Sequence, residues 1–275
     1  MKTALCLYGY FNNGVNPNSG NLGFDYINRT IISKGDVDVY IHSWDVENEN
    51  KMRQLYKPVK CSFEKQKNFK DVIDQNGINE QWIDEGFDRQ RTIFSQCSIQ
   101  STLSFLYSRG QAIKLLKEEY ECVVATRFDL GNRSGCNKDY WVSNIDFNPD
   151  INQDNIYSAM WMQLNAGYAD QWFYSSQENM NILSDMNERT IDYLKKDSEF
   201  SKVLTTGWPD SHYMNNNNSK DPGQFTNEIL KERVDRSSNL MRYPRWQMIN
   251  NHILHKWFFI ESGLYEKSKF IVGVS

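Results

Sequence analysis

The amino-acid sequence predicts an α/β fold, because apolar stretches typical of strands alternate with helical patterns along its first half. Strands are predicted over residues 3–8, 37–42 and 121–129, with helices between them at 24–33 and 101–120. This order favours a sheet whose strands are joined by right-handed crossovers, with helices packed on its faces. The 275 residues show no internal repeat and no convincing linker, so we expect a single domain.

The first two strands are predicted from their own side chains and from the residues after them. Residues 3–8 form a short apolar run that ends at Gly9, and the polar stretch 12–21 predicts a long loop after it. Residues 37–42 are rich in β-branched side chains, which favours a second strand. The charged, weakly patterned region 47–91 predicts an insertion of short helices and loops.

The third strand comes after a helix whose apolar face is visible in the sequence. Between residues 101 and 120, apolar side chains recur at helical spacing, and Lys and Glu occupy the other side. A loop-rich stretch at 131–154 then begins the second half. The further predicted elements are a strand at 156–162, a helix at 177–195, a helix at 226–236 and a strand at 270–274.

Composition limits the classes of function. Aromatic residues make up 14% of the chain, which argues for a folded core rather than disorder. The 31 Lys and Arg residues against 35 Asp and Glu give a net charge of -4, which argues against a general nucleic-acid binder. No apolar stretch approaches the roughly 20 residues of a membrane span. The five scattered cysteines contain no Cys-x-x-Cys motif and favour reduced thiols, so we expect a cytoplasmic protein.

Polar groups stand after all three strands of the first half, at the edge where α/β sheets bind their ligands. Because side chains alternate along a strand, Arg127 and Asp129 are predicted to share one face. A carboxylate there can bind a divalent metal ion, and a guanidinium can pair with phosphate. The alternative is an internal salt bridge that closes the strand. The three segments are Tyr8-Gly9-Tyr10, His42-Ser43-Trp44-Asp45 and Arg127-Phe128-Asp129.

Five short segments, taken in their order along the chain, carry a resemblance to a known family. They are residues 4–9, 38–45, 103–130, 169–176 and 224–234. Together they resemble small GT-A-type glycosyltransferases of capsule and lipopolysaccharide synthesis, to which glycan-building enzymes of large algal viruses are related. The resemblance implies a GT-A-like, Rossmann-like mixed sheet flanked by helices. It also implies a nucleotide-binding half at residues 1–130 and an acceptor-side half at 131–275.

The resemblance implies a nucleotide-sugar donor, with a UDP-sugar favoured, and often Mn²⁺ or Mg²⁺ as cofactor. The family's metal motif is Asp-x-Asp, whereas this chain has Arg127 in place of the first carboxylate. Asp129 is therefore the predicted metal ligand, either with help from a distant residue or with Arg127 neutralising part of the phosphate charge. The predicted nucleotide-sugar contacts are Tyr8, Gly9, Tyr10, His42, Ser43, Trp44, Arg109, Arg127 and Asp129.

The acceptor, a glycan hydroxyl, is expected to contact residues of the second half. In an inverting reaction a carboxylate must take the proton of that hydroxyl. Asp170 is the first candidate for this base and Asp210 is the second. Trp208 is a candidate platform for a sugar ring, and His212 is a candidate acceptor contact that could also complete a metal site.

Each of these assignments has a structural alternative. Asp170 could be a helix N-cap or a structural hydrogen-bond acceptor. His42 could be a histidine packed beside Trp44, and Arg109 could lie on a solvated helix face. At the level of the whole chain, the missing first Asp keeps a second function open. This is a non-catalytic glycan-binding or glycan-assembly protein that kept the fold.

Overall fold

The computed structural model describes residues 2–12, 16–76, 99–131, 144–159, 168–195, 198–200 and 251–271. Within these residues, seven strands form one mixed sheet and seven α-helices accompany it. The strands are β1 (Lys2–Gly9), β2 (Asp36–Ser43), β3 (Lys60–Phe63), β4 (Cys122–Arg127), β5 (Ile156–Ala159), β6 (Trp172–Ser175) and β7 (Ser268–Ile271). The helices are α1 (Ser19–Thr30), α2 (Glu49–Tyr56), α3 (Lys70–Gln75), α4 (Ile99–Lys114), α5 (Gln177–Ser184), α6 (Met186–Tyr193) and α7 (Asn251–Ser262).

The sheet has the strand order β3-β2-β1-β4-β6-β5-β7. The first four of these are parallel, β6 runs antiparallel to both of its neighbours, and β7 is parallel to β5. The carboxyl ends of β1, β2 and β4 therefore meet at one edge, which we call the carboxyl edge. Because β6 runs the other way, it begins at this same edge.

Both faces of the sheet are covered, which explains why the two central strands, β1 and β4, carry apolar side chains on both faces, at residues 4–8 and 122–125. Along β1, Ala4, Cys6 and Tyr8 belong to the core that packs under α3, α4, α5, α6 and α7. Leu5 and Leu7 belong to the opposite core, which packs under α1 and α2. Each leucine side chain buried in this way contributes about 1.5–3 kcal/mol of transfer free energy. The predicted α/β fold, a mixed sheet flanked by helices, is confirmed.

Helix α1 begins earlier than the sequence pattern predicts. The prediction put a loop at 12–21 and a helix at 24–33, whereas α1 spans Ser19–Thr30. The reason is that its first half contains glycines which other groups approach closely. A Cβ atom at Gly20 would lie 2.6 Å from the ring of Phe11, and one at Gly23 would lie 1.7 Å from the carbonyl oxygen of Phe128. Packing of this kind offsets the low helix propensity of glycine.

The remaining elements differ from prediction mainly at their ends. The helix predicted at 177–195 is divided into α5 and α6 at Asp185. The insertion at 47–91 contains the strand β3 as well as α2 and α3, and residues 144–155 contain no helix or strand, as predicted for that part of the loop. Strand β7 begins two residues before the predicted 270–274. The predicted helix at 226–236 lies outside the described residues. None of the helices in the described ranges is long and apolar enough to span a membrane.

Candidate functional site

The centre of the carboxyl edge brings together polar side chains from both halves of the chain. Tyr8 at the end of β1 lies in register with Arg127 at the end of β4, and Thr126 lies in register with Trp172, the first residue of β6. Asp170, which comes just before β6, therefore reaches the same place. The hydroxyl of Tyr8 donates a hydrogen bond to the backbone oxygen of Asp170, with a donor–acceptor distance of 3.3 Å.

Arg127 and Asp129 form a bidentate ion pair at this edge. Nε of Arg127 donates to Oδ1 of Asp129 over 2.9 Å, and the terminal nitrogen Nη2 donates to Oδ2 over 2.7 Å. The side chain of Arg127 is 30% exposed, whereas that of Asp129 is only 6% exposed. Both carboxylate oxygens are thus engaged, and the guanidinium is the member of the pair that faces outward.

The position of Asp129 is fixed by the packing of α1. A Cβ atom at Gly23 would approach Phe128 and would lie 3.3 Å from Cα of Asp129, so this turn of the helix rests directly on the backbone beyond β4. The Phe128 ring is fully buried between the rings of Phe11 and Tyr56. The chain direction after β4, and with it the direction of the Asp129 side chain, is therefore determined by close packing.

The charges of the edge influence one another. Burial lowers the pKa of Arg127, but attraction to Asp129 and Asp170 outweighs this and raises it above its usual value. Burial raises the pKa of Tyr8, with contributions of both signs from the two arginines and two aspartates around it, so its phenol is neutral. Two guanidinium groups, of Arg127 and Arg109, and two carboxyl groups, of Asp129 and Asp170, thus determine the electrostatics around Tyr8.

Asp170 lies in a buried segment that is tied to β4. It is 8% exposed, and its neighbour Gln171 donates a 3.3 Å hydrogen bond to its Oδ1. The backbone oxygen of Gln171 accepts a hydrogen bond from the hydroxyl of Thr126. The helix N-cap alternative for Asp170 is wrong, because the residue that caps α5 is Ser176, whose side chain accepts from the backbone N–H of Asn179. The other alternative, a structural hydrogen-bond acceptor, describes the bond from Gln171, and the role of a catalytic base stays a prediction.

Arg109 lies beneath the edge rather than on a solvated helix face. Its side chain is fully buried, with Nη1 donating to Nε2 of His255 over 2.7 Å and Nη2 contacting the sulfur of Met186 at 3.0 Å. The guanidinium also lies 5.2 Å and 5.3 Å from the ring centres of Phe105 and Phe173. In this structure its hydrogen bonds are directed into the core, so its predicted role in donor binding stays a prediction.

His255, on α7, was missed by the sequence analysis. Because an arginine can only donate, Nε2 of His255 must accept, and Nδ1 must carry the proton that bonds the backbone oxygen of Asn251 at 2.5 Å. Burial, and then the charge of Arg109, lower the pKa of His255 to about 3. The only sequence signal was a histidine within an apolar helix, which does not indicate a partner 146 positions away.

The predicted residues of β2 lie beside the end of β1 and are held by protein groups. His42 is buried, with Nε2 bonded to Glu64 at 2.9 Å and Nδ1 to the hydroxyl of Ser108 at 2.8 Å. Its ring packs edge-on against Trp44, with 4.9 Å between the ring centres. Burial lowers the pKa of His42, and the bond to Glu64 opposes this in part. The packed-histidine alternative describes these contacts, and a contact with a nucleotide stays a prediction.

The end of β1 leaves space beside its last residue, Gly9. Gly9 has a φ of +93°, a conformation that favours glycine, and a Cβ atom there would have no atom of the described residues within 4 Å apart from its chain neighbours. The hydroxyl of Ser43 donates to the Gly9 carbonyl over 2.8 Å and holds this turn. Tyr10 is 47% exposed, and its hydroxyl donates to Gln66. The other predicted site residues, Trp208, Asp210 and His212, lie outside the described residues.

The described part of the edge does not fit a divalent metal ion. Both oxygens of Asp129 accept hydrogen bonds from Arg127, so a metal ion at this carboxylate would have to displace a guanidinium and would be repelled by it. Among the described residues, no three His, Cys, Asp or Glu side chains come together as metal ligands would. We therefore derive no chemical step through Mn²⁺ or Mg²⁺.

Comparisons with known proteins give a similarity in structure and none in sequence. No family model and no curated protein matches the chain. The crystal structure of mouse xyloside xylosyltransferase 1, in its apo form, is similar with a TM-score of 0.38 and 9% sequence identity. The match covers 98% of this chain and 84% of that one. A similarity at this level does not assign a function, so a functional proposal has to rest on the residues of the carboxyl edge.

Proposed function

We propose that this chain is a GT-A-type glycosyltransferase that moves a sugar from a nucleotide-diphosphate donor to a hydroxyl of a glycan acceptor. The observation that carries the proposal is the convergence of Arg127, Asp129 and Asp170 at the carboxyl edge of one sheet. Ligands of open α/β sheets bind at this edge, beside the central strands. The sequence resemblance favours a UDP-sugar among the possible donors, and a cytoplasmic location stays a prediction from the cysteines.

Residues of this edge can assist two steps of the reaction, namely the departure of the diphosphate and the removal of the proton from the acceptor hydroxyl. The bond between the anomeric carbon and the diphosphate oxygen breaks, and its electron pair stays on the diphosphate. The acceptor hydroxyl forms the new bond to the anomeric carbon, and its proton passes to a carboxylate. Arg127 is suited to the negative charge that develops on the leaving group, and Asp170 is our first candidate for the carboxylate.

The nucleoside is proposed to lie toward β2, beside the space at Gly9. Tyr10 offers an exposed aromatic ring there, and aromatic rings stack on nucleobases. Ser43 holds the turn at Gly9, while His42 and Trp44 form the packed layer beneath it. In this proposal these three residues shape the pocket, and Tyr10 contacts the base.

A donor-hydrolysis assay tests the proposal. The protein is incubated with UDP-, GDP- and dTDP-sugars, and release of the nucleoside diphosphate is measured for the wild type, for Asp129→Ala and for Asp71→Ala. Asp71 is exposed on α3 and serves as the matched control. We expect release from at least one donor by the wild type and the control, and its loss in Asp129→Ala. Near wild-type release by a folded Asp129→Ala variant would defeat the site assignment.

One observation favours a second candidate function. Arg127 stands where the family's Asp-x-Asp motif has its first carboxylate. A non-catalytic glycan-binding or glycan-assembly protein could keep the fold while losing the reaction. The same assay separates the two functions, since a protein with only the binding or assembly function would release no nucleoside diphosphate from any donor. Retention on an immobilised glycan would then support the binding function.

A further inference from the structure

We propose that the chain binds the diphosphate of its donor through the Arg127 guanidinium, without a divalent metal ion. This inference rests on the proposed function, because it concerns how the same donor is held. It goes beyond that function by replacing the metal ion with a side chain of the protein. Three features of the carboxyl edge carry the inference, namely the exposure of the pair, its hydrogen bonding and the space beside it.

The exposure of the pair is the first feature. With 30% of its side chain exposed against 6% for Asp129, Arg127 is the member of the pair that a ligand approaching the edge meets first. A metal site needs the opposite arrangement, with carboxylate oxygens directed outward toward the ion. The guanidinium is instead suited to phosphate, because its planar array of donors matches two phosphate oxygens at once.

The hydrogen bonds of the pair are the second feature. Asp129 accepts from Nε and Nη2 of Arg127, which fixes the plane of the guanidinium. Among the residues that the structure describes, Nε and Nη2 are bonded to Asp129 and Nη1 has no hydrogen bond, so Nη1 is the group that we propose meets the phosphate. An oriented cation of this kind needs little rearrangement when it binds an anion, and such preorganisation favours binding.

The space beside the pair is the third feature. Tyr8 lies in register with Arg127, and at Gly9, the next residue, a Cβ would have no atom of the described residues within 4 Å apart from its chain neighbours. A ligand group can therefore approach the backbone closely, one residue from the guanidinium. Beneath this point the buried guanidinium of Arg109 adds a second positive charge, which offsets the carboxylate of Asp170.

The chemical step is complete without a metal ion. When the bond from the anomeric carbon to the diphosphate breaks, both electrons of that bond go to the diphosphate oxygen. The new charge is stabilised by the N–H groups of Arg127, and the proton lost by the acceptor hydroxyl goes to a carboxylate of the protein. No oxidant, reductant or further reactant is required.

Calorimetric titration of the wild-type protein with UDP, GDP and dTDP, in EDTA and in MnCl₂, tests the inference. We expect at least one nucleoside diphosphate to bind with dissociation constants that agree within about tenfold in the two buffers. Binding that is lost in EDTA, or that Mn²⁺ strengthens by more, would overturn the inference and leave the proposed function standing. If no nucleoside diphosphate binds in either buffer, both the inference and the proposed donor class are wrong.

Two variants and a control locate the effect at Arg127. Removing a charge-assisted hydrogen bond should weaken binding of that nucleotide in EDTA by about 10- to 100-fold in Arg127→Gln, and by less in Arg127→Lys. Arg29→Gln is the matched control, because Arg29 is exposed in the last turn of α1 and is not part of the edge. If folded Arg127→Gln binds the nucleotide in EDTA as tightly as the control does, the inference is wrong. If Arg127→Gln does not fold, the inference is judged by the binding of the nucleotide to Arg127→Lys in EDTA and by the wild-type titrations in EDTA and in MnCl₂.

Discussion

At the level of single residues, the ion pair between Arg127 and Asp129 determines what the carboxyl edge offers to a ligand. The two were predicted to share one face of a strand, or else to form a salt bridge that closes it. They do form that salt bridge, but β4 ends at Arg127, so the turn after the strand, and not alternation along it, brings Asp129 back to Arg127. Which of the two would face outward was not predictable, because it depends on the packing of α1 against the backbone beyond β4. Sequence spacing thus predicts a neighbour, and tertiary packing decides its exposure.

Asp170 is the residue whose substitution tests the chemical step. We expect Asp170→Asn to lower turnover by about 10²- to 10⁴-fold, because an amide cannot take the proton of the acceptor hydroxyl. The KM for the donor should change much less. The measurement is the steady-state rate of sugar transfer, with Asp71→Asn as the control. Full activity of Asp170→Asn would mean that the base lies elsewhere, and Asp210 would be the next candidate.

His255 gives the chain a pH-dependent stability. Its pKa is about 3 in the folded protein, first because it is buried and then because Arg109 is charged. In the unfolded chain it is near 6.5, so between these values the unfolded state binds a proton that the folded state excludes. The free energy of unfolding should therefore fall on acidification from about pH 6.5, by up to about 1.4 kcal/mol per pH unit. His42, whose pKa is also lowered, acts in the same direction.

Urea unfolding at several pH values between about pH 7 and about pH 5 measures this effect. The control is His255→Gln, which keeps an oxygen acceptor for Arg109 but cannot be protonated. Its unfolding free energy should depend less on pH than that of the wild type. The same pH dependence in both proteins would show that His255 does not titrate in this way.

At the level of the elements, helix α1 sets the geometry of the site through its glycines. The sequence pattern placed the start of this helix too late, because Gly20 and Gly23 lower helix propensity and lie near polar residues typical of loops. These glycines allow the Phe11 ring and the Phe128 backbone to approach the helix closely, and only the contacts of the folded chain reveal this. The presence of the amphipathic helix α4 was predicted from its apolar spacing, which is a local property, but the helix spans Ile99–Lys114 and not the predicted 101–120.

Substitution of Gly23 tests this role of α1. In Gly23→Ala the new methyl group would meet the carbonyl oxygen of Phe128, and backbone on both sides leaves little room to adjust. We expect a loss of about 1–3 kcal/mol in the free energy of unfolding, together with weaker donor binding as Asp129 shifts. The matched control is Gly35→Ala, where a Cβ has no atom within 4 Å. Equal unfolding free energies for the two variants would contradict the packing argument.

At the level of the whole molecule, the candidate site depends on a pairing that no local pattern contains. The parallel strands β1, β2 and β4 could be predicted from their apolar runs, and their shared carboxyl edge is a consequence of that. That β6 would pair antiparallel with β4, and so bring Asp170 to the same edge, depends on tertiary contacts. The same is true of Arg109 and His255, which come from distant helices.

The most direct test of the site as a whole is a crystal structure of the protein with the nucleoside diphosphate that binds it in calorimetry. We predict that the phosphate oxygens will lie within hydrogen-bond distance of the Arg127 guanidinium. The nucleoside should extend past Gly9 toward Tyr10. A nucleotide bound on another surface, with the carboxyl edge free of it, would contradict the proposed site.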